Sequence, residues 1–339
     1  MSVPRAMRAP SAGTSLVELM LALVAGLLLV LCMLAIQQQG SRLRRTADTV
    51  ARLQEAARLA FAVIEADLRM ASHWGLHNRA EWVTNHARPG DALPAAFTAA
   101  QGERLSACGG TGSLWAIQLE RYVEAADGSY GLACAATGGA VAGADTLVIR
   151  RAADGPPATL DPQRIHLQST RTQATLFVPQ SGCTNPASVS CLPAGYSPTT
   201  SQSRLLLVRA YYVSPTATQH AGLPALRRKS LGNVNSASVG GAMNDEEIVA
   251  GVEDMQVRFG VDTDGDASLD AYVEPGSLPA AARIVAATIW LRLRAEDPEP
   301  GHVDAAHYRY GGMASDWVPG DAYRRIVVSR TVQLRNAPP

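Results

Sequence analysis

The sequence predicts an α+β protein: one long N-terminal helix set against a mainly antiparallel β-sheet head with long loops. Three observations predict it. The first is an uncharged run from Leu19 to Ile36 (LMLALVAGLLLVLCMLAI) that continues into an amphipathic pattern. The second is a set of later runs with period-two alternation. The third is the lack of the regular strand–helix alternation that a doubly wound parallel sheet requires.

The helix is predicted from near Ser15 to about Ala71, with Gly75 as its stop signal. Its apolar run would span about 27 Å, the thickness of a bilayer core. Beyond Gln37-Gln38-Gln39, the residues Ala47, Val50, Leu53, Ala57, Ala60, Phe61, Ile64 and Leu68 recur at intervals of three and four. Arg42, Arg45, Arg52, Arg58 and Arg69 flank that stripe, so this half faces something apolar. Strands are expected at 114–119, 146–151, 175–178, 205–213, 248–261, 283–293 and 324–334. Met255, Val257, Phe259 and Val261 share one face, as do Val285, Ala287, Ile289, Leu291 and Leu293. Residues 183–203 and 215–244 read as long loops, and Arg227-Arg228-Lys229 as a solvated basic cluster within the second. Trp74 and Trp82 are expected to anchor the head to the helix, and His73 and His77 to be surface or packing residues.

Composition excludes several function classes. The 339 residues are 47% apolar, enough for a real core, and carry 30 basic against 30 acidic side chains. That balance gives no electrostatic reason to expect nucleic-acid binding. HExxH, GxSxG and P-loop patterns are absent, so no catalytic motif argues for an enzyme. Cys32 lies in the apolar run. Cys108, Cys134, Cys183 and Cys191 lie downstream, an even number without CxxC spacing, which suits two disulfides in an exported domain better than zinc. Three connectivities are open, nearest-neighbour pairing being the simplest.

The N-terminus carries the sharpest signal. Residues 1–12 hold Arg5 and Arg8 and no acid; Gly13-Thr14-Ser15-Leu16-Val17-Glu18 follows. An ordinary secretory signal would have a shorter apolar region and a small-residue cleavage site after it. A plain membrane anchor leaves Glu18 unexplained, because an acid at membrane depth costs about 3 kcal/mol. The segment closely resembles the prepilin signals of type IV pilins and type II secretion pseudopilins. That resemblance implies cleavage between Gly13 and Thr14 by a membrane peptidase and methylation of the new amino terminus. It also implies pairing of Glu18 with a neighbouring subunit's amino terminus. Thr14 departs from the family's usual phenylalanine or methionine. Arg5 and Arg8 oppose Arg42, Arg44 and Arg45, so orientation rests on the resemblance.

Four words narrow it: Asp67-Leu68-Arg69-Met70-Ala71, Asp145-Thr146-Leu147-Val148-Ile149-Arg150, residues 249–262 (VAGVEDMQVRFGVD) and residues 330–336 (RTVQLRN). In that order they look like the PilW family of minor pilins. The implied organisation is a leader (1–13), a transmembrane and fibre-packing helix half (14–39), its amphipathic continuation (40–75) and a β-rich head (76–339). The implied role is to help initiate and assemble type IV pili, with no enzymatic activity. The prepilin peptidase, other minor pilins, the major pilin and a tip adhesin would be the partners. The place would be the inner membrane, head in the periplasm, and then the pilus. A type II secretion pseudopilin and a membrane-tethered enzyme or binding protein are the alternatives.

One loop stands apart. Asp262, Asp264, Asp266 and Asp270 occupy positions 1, 3, 5 and 9 of an EF-hand-like spacing, which predicts weak calcium binding. Position 6 is Ala267 rather than glycine, and position 12 is Val273 rather than glutamate. The competing reading is a solvated Asp/Gly turn between strands.

Overall fold

The computed structural model describes residues 15–279 and 282–338. Gly13 and Thr14, the two processing residues, lie outside the described residues. The chain forms two compact units, the first ending at Ala51 and the second being Arg52–Pro339. A single helix, α1 (Leu16–Arg69), contributes to both.

In the first unit the apolar run of the helix is exposed. Every large apolar side chain from Leu16 to Ile36 is exposed, and the helix is long and apolar enough to cross a membrane. In the second unit the stripe predicted from the sequence is buried from Leu53 onward: Leu53, Ala57, Ala60, Phe61, Ile64 and Leu68 all lie in the main core. Burying the large members is worth about 2 kcal/mol each. The helix stops at Arg69; Ser72 and Gly75 then take left-handed backbone angles. Gly75 has no alternative, since a Cβ there would lie 2.1 Å from Ser169 Oγ.

Among the described residues, the rest of the second unit holds one short α-helix, five 3-10 turns and twelve strands. β1 (Val83–Thr84), α2 (Ala99–Leu105), β2 (Val123–Ala126), β3 (Thr146–Ala152), β4 (His166–Ser169) and β5 (Ala174–Phe177) come first. They are followed by β6 (Gln202–Ser214), β7 (Ala225–Leu231), β8 (Met243–Ala250), β9 (Val252–Asp262), β10 (Ala271–Val273), β11 (Arg283–Arg294) and β12 (Arg325–Gln333). The larger sheet runs β1-β5-β4-β6-β3-β2, with β7 on β6 and β8 on β7; the smaller runs β10-β9-β11-β12. Every pairing is antiparallel except β1 with β5. The mainly antiparallel α+β architecture read from the sequence is what the chain adopts. Disulfides join Cys108 to Cys134 and Cys183 to Cys191, the nearest-neighbour pairing.

Four expectations are corrected. Residues 114–119 are not a strand: Leu114 sits at φ 49°, and Trp115–Ile117 form a 3-10 turn embedded in the core. The apolar run came from enclosure on all sides rather than from a pleat. The stretch 248–261 is two strands in different sheets, parted at Gly251, whose φ of +88° turns the chain out of the larger sheet into the smaller. Residues 215–244 are not one loop, because β7 runs through them and β8 begins at Met243. Arg227-Arg228-Lys229 is therefore not a solvated cluster. Arg227 and Lys229 are buried in β7, paired with Asp245 at 2.9 and 2.7 Å, and Arg228 pairs with Glu246 at 2.5 Å. The acids that neutralise this strand stand on β8, its neighbour.

Candidate functional sites

At the start of α1, Ser15 and Glu18 engage one another. The Ser15 backbone N–H donates to the Glu18 carboxylate at 3.2 Å, and the Ser15 hydroxyl accepts from the Val17 N–H at 3.4 Å. Glu18 thus caps the helix N-terminus, where the macrodipole favours an anion. Its side chain remains exposed amid the exposed apolar run.

At the other end of the same helix, Asp67 is completely buried. Its Oδ1 accepts from Arg151 at 2.9 Å and from Arg209 at 2.5 Å; its Oδ2 accepts from the Tyr211 hydroxyl. Arg209 and Tyr211 are two apart on β6, and Arg151 is on the adjacent strand β3, so all three project from one face of the larger sheet. Burial pushes the Tyr211 hydroxyl well above its usual range, and the Asp67 charge adds to it. The neighbouring residue on β3, Arg150, points the opposite way. It donates to Glu124 at 2.7 Å and to the Trp115 and Arg121 carbonyls, and stacks over the Trp115 ring.

Asp145 fastens the larger sheet to the smaller. It too is buried, and its two oxygens accept the Gly128 and Val257 N–H groups at 2.7 Å each, while its own N–H donates to the Met255 carbonyl. Burial raises its carboxyl to about 7. The two N–H bonds pull it down, and nearby Asp127 and Asp254 push it up.

The VAGVEDMQVRFGVD word is β9 and its lead-in. Met255, Val257, Phe259 and Val261 are buried in the core as the alternation predicts. The polar residues before and between them each hold a neighbour. Glu253 takes Arg292 at 3.0 Å and Arg325 at 2.8 Å, from β11 and β12. Asp254 accepts from the Tyr310 hydroxyl at 2.6 Å, Gln256 donates to the Gly143 carbonyl, and Arg258 pairs with Glu274. In the final word, Arg330 reaches Glu65 on α1 at 3.7 Å, and Asn336 donates to the Arg69 carbonyl at 3.1 Å, satisfying a group the helix end leaves open. The words thus meet in pairs: the first and last at the helix end, through Arg69 and Asn336, and the second and third where the sheets join, through Asp145 with Met255 and Val257.

Asp262, Asp264 and Asp270 lie close enough to place one carboxylate oxygen each within 4.8 Å of the others; Asp266 stands outside that group. Asp262 is buried and accepts the Gly265 and Ala267 N–H groups and, at 2.6 Å, Arg283. Burial raises the Asp262 carboxyl, but these three donors hold it below its usual range. Asp270 accepts from the Thr263 N–H and hydroxyl, and Asp266 from the Ser268 N–H. Ala267 takes a left-handed φ of 68°, the conformation for which a calcium loop uses glycine.

Of the tryptophans, Trp74 is fully buried, while Trp82 is partly exposed beneath Arg79. His73 and His77 are half-buried packing residues, and burial lowers both ring pKa values. Sequence reading gave no role to Asp67. The available signal was its position, an acid between Ile64 and Leu68 on the apolar stripe, where every other member is uncharged.

Helix and sheets together define an α+β protein with a long N-terminal helix and mainly antiparallel sheets. Residues 210–336 match the model of the PilW family, type IV pilus-assembly protein W. Over that span the likeness to PilW proteins read from the sequence is shown. No curated protein and no solved structure matches the chain.

Proposed function

We propose that the chain is a minor pilin, a structural subunit without catalytic activity that helps initiate type IV pilus assembly. The prepilin peptidase removes residues 1–13, and the helix then holds the mature chain in the inner membrane with the β-rich unit on the periplasmic side. Other minor pilins and the major pilin are its partners, and Glu18 pairs with the amino terminus of a neighbouring subunit. One observation carries this reading: a wholly exposed apolar helix half, opened by one acid, in a chain whose residues 210–336 match a pilus-assembly family. Bringing an amine to Glu18 in a low-dielectric medium offsets the cost of burying either charge alone.

Mass spectrometry of the chain isolated from membranes tests the processing step. The expected species begins at Thr14, with or without one added methyl group. A chain beginning at Met1, or after Gln39, contradicts it.

A further inference from the structure

Residues 72–79 carry the chain from the end of α1 toward β1, and they are tied to three other parts of the second unit. On β3, the Arg150 carbonyl accepts the Ser72 N–H at 3.3 Å, and the Ala152 N–H donates to the His73 carbonyl at 2.7 Å. On β4, the Ser169 hydroxyl oxygen accepts the Leu76 N–H at 3.3 Å. Beyond β12, the Ala337 carbonyl accepts from the Asn78 side chain at 3.3 Å.

Two histidines are built into this turn in a form that suits only a neutral ring. The Nδ1 of His77 accepts the Arg79 N–H at 3.2 Å, so its lone pair is in use and the ring proton sits on Nε2. That Nε2 is buried and meets no hydrogen-bond partner among the described residues, and the same holds for Nε2 of His73. An imidazolium donates from both nitrogens. A second proton on His77 would therefore set an N–H against the Arg79 N–H. A charged His73 would hold its Nε2 proton with nothing to receive it.

The charges around the rings do not offset this. His73 faces Arg151 on β3, Arg204 on β6, Asp154 just after β3, and His77 in its own turn. The one acid among them is already engaged: Asp154 pairs with Arg151, and its carbonyl accepts from Arg204. His77 faces Glu81, which pairs with Arg79 at 3.3 Å, and its ring packs at a steep angle to Trp82. Burial pulls both rings below their ordinary value of 6.5. Arg204 and Arg151 add to this at His73, where Asp154 opposes it, and Glu81 opposes it at His77.

We infer that this turn is an acid-operated latch. When His77 and His73 take up protons, the Arg79 bond breaks and cationic rings stand beside Arg151 and Arg204. Residues 72–79 then leave Ser169 and Ala337, which loosens the joint between α1 and the sheets. The open turn binds more protons than the closed one, so closure is undisturbed well above pH 6.5 and weakens as pH falls below it. Nothing in the latch depends on the proposed pilus role.

Hydrogen–deuterium exchange of the full chain in detergent, read by mass spectrometry from pH 7 to 5 and corrected for intrinsic rates, tests it. Between pH 6.5 and 5.5, residues 72–79 should open up to about fivefold more for each histidine that is protonated only in the open form. Strands β3 and β6 should keep their protection over the same range. His73→Gln combined with His77→Asn, whose side-chain oxygen still accepts the Arg79 N–H, should remove the pH dependence and keep the turn closed. His77→Asn alone should remove part of it, and His220→Asn, at an exposed histidine, none. Exchange at 72–79 that ignores pH overturns the latch, as does a response spread evenly over the unit or one that survives both substitutions.

Discussion

The two halves of α1 carry one decisive carboxylate each and treat it in opposite ways. Glu18 stands at the exposed end of the apolar run, and its carboxylate accepts from the Ser15 N–H at the start of its own helix. Asp67 stands in the core, fully enclosed, with two arginines and a tyrosine from two strands upon it. The difference lies in where the partner comes from. A buried charge must find its counterions within the chain, because several kcal/mol of desolvation would otherwise go uncompensated. An exposed acid on an apolar surface costs little until that surface is covered, and its partner can then come from another molecule. Asp67 is thereby a folding residue, and on the proposed function Glu18 is an assembly residue.

Asp67→Ala is the largest test of this contrast. It takes from Arg209 its carboxylate partner and leaves Arg151 with Asp154 and the Ala152 carbonyl, and it should destabilise the folded unit by about 3–5 kcal/mol. Thermal denaturation of the full chain in detergent would show it as a marked drop in melting temperature. Glu18→Ala should leave the same transition in place, and a matching drop would erase the distinction.

Removing the Cys108–Cys134 bridge by a double serine substitution should cost roughly 3 kcal/mol in the chain-entropy account, read in the same melt. The bridge closes the segment that carries Trp115, the aromatic partner of Arg150. A loss under 1 kcal/mol would mean that the fold holds this segment unaided.

Asp145 gives a pH signature. Its folded carboxyl titrates near 7 against 3.8 for the free group, so the folded state holds the proton more tightly. That contribution is fully present below about pH 4 and is lost as pH rises through 7, by up to about 4 kcal/mol. Asp145→Asn should flatten the pH dependence of the melting temperature between pH 4 and 7 relative to the parent. Parallel profiles would show that Asp145 does not titrate in this window.

The smallest effect is expected at the Asp262 loop. Its carboxylates already accept N–H groups and an arginine, so we propose calcium binding only in the region of 1 mM. Titration calorimetry should give weak heat that Asp264→Asn removes. Silence up to several millimolar would leave the loop as a self-bonded turn.

What was legible in the sequence follows the range of the interactions. The helix, its buried stripe and the β9 alternation depend on residues a few positions apart, and periodicity exposed them. The four words were visible as words, but their meaning was not. Asp67 meets Arg151 and Arg209 across separations of 84 and 142 residues, and Asp145 meets Val257 across 112. Strand β7 was hidden because its inward-facing Arg227 and Lys229 look solvated until β8 brings Asp245 beside them. The 3-10 turn at Trp115 was mistaken for a strand because an unbroken apolar run reports enclosure without reporting pleat. The cysteine pairing was open among three choices, and only the fold that brings Cys108 and Cys134 to a Cα separation of 4.4 Å decides it.

The most direct test of the central claim is to follow Glu18→Ala through both steps at once, measuring its N-terminal mass in membranes and its abundance in sheared pili. The account predicts a chain still cut before Thr14, with an unchanged melting transition, and absent from the pili. Normal incorporation of the cleaved variant would contradict it.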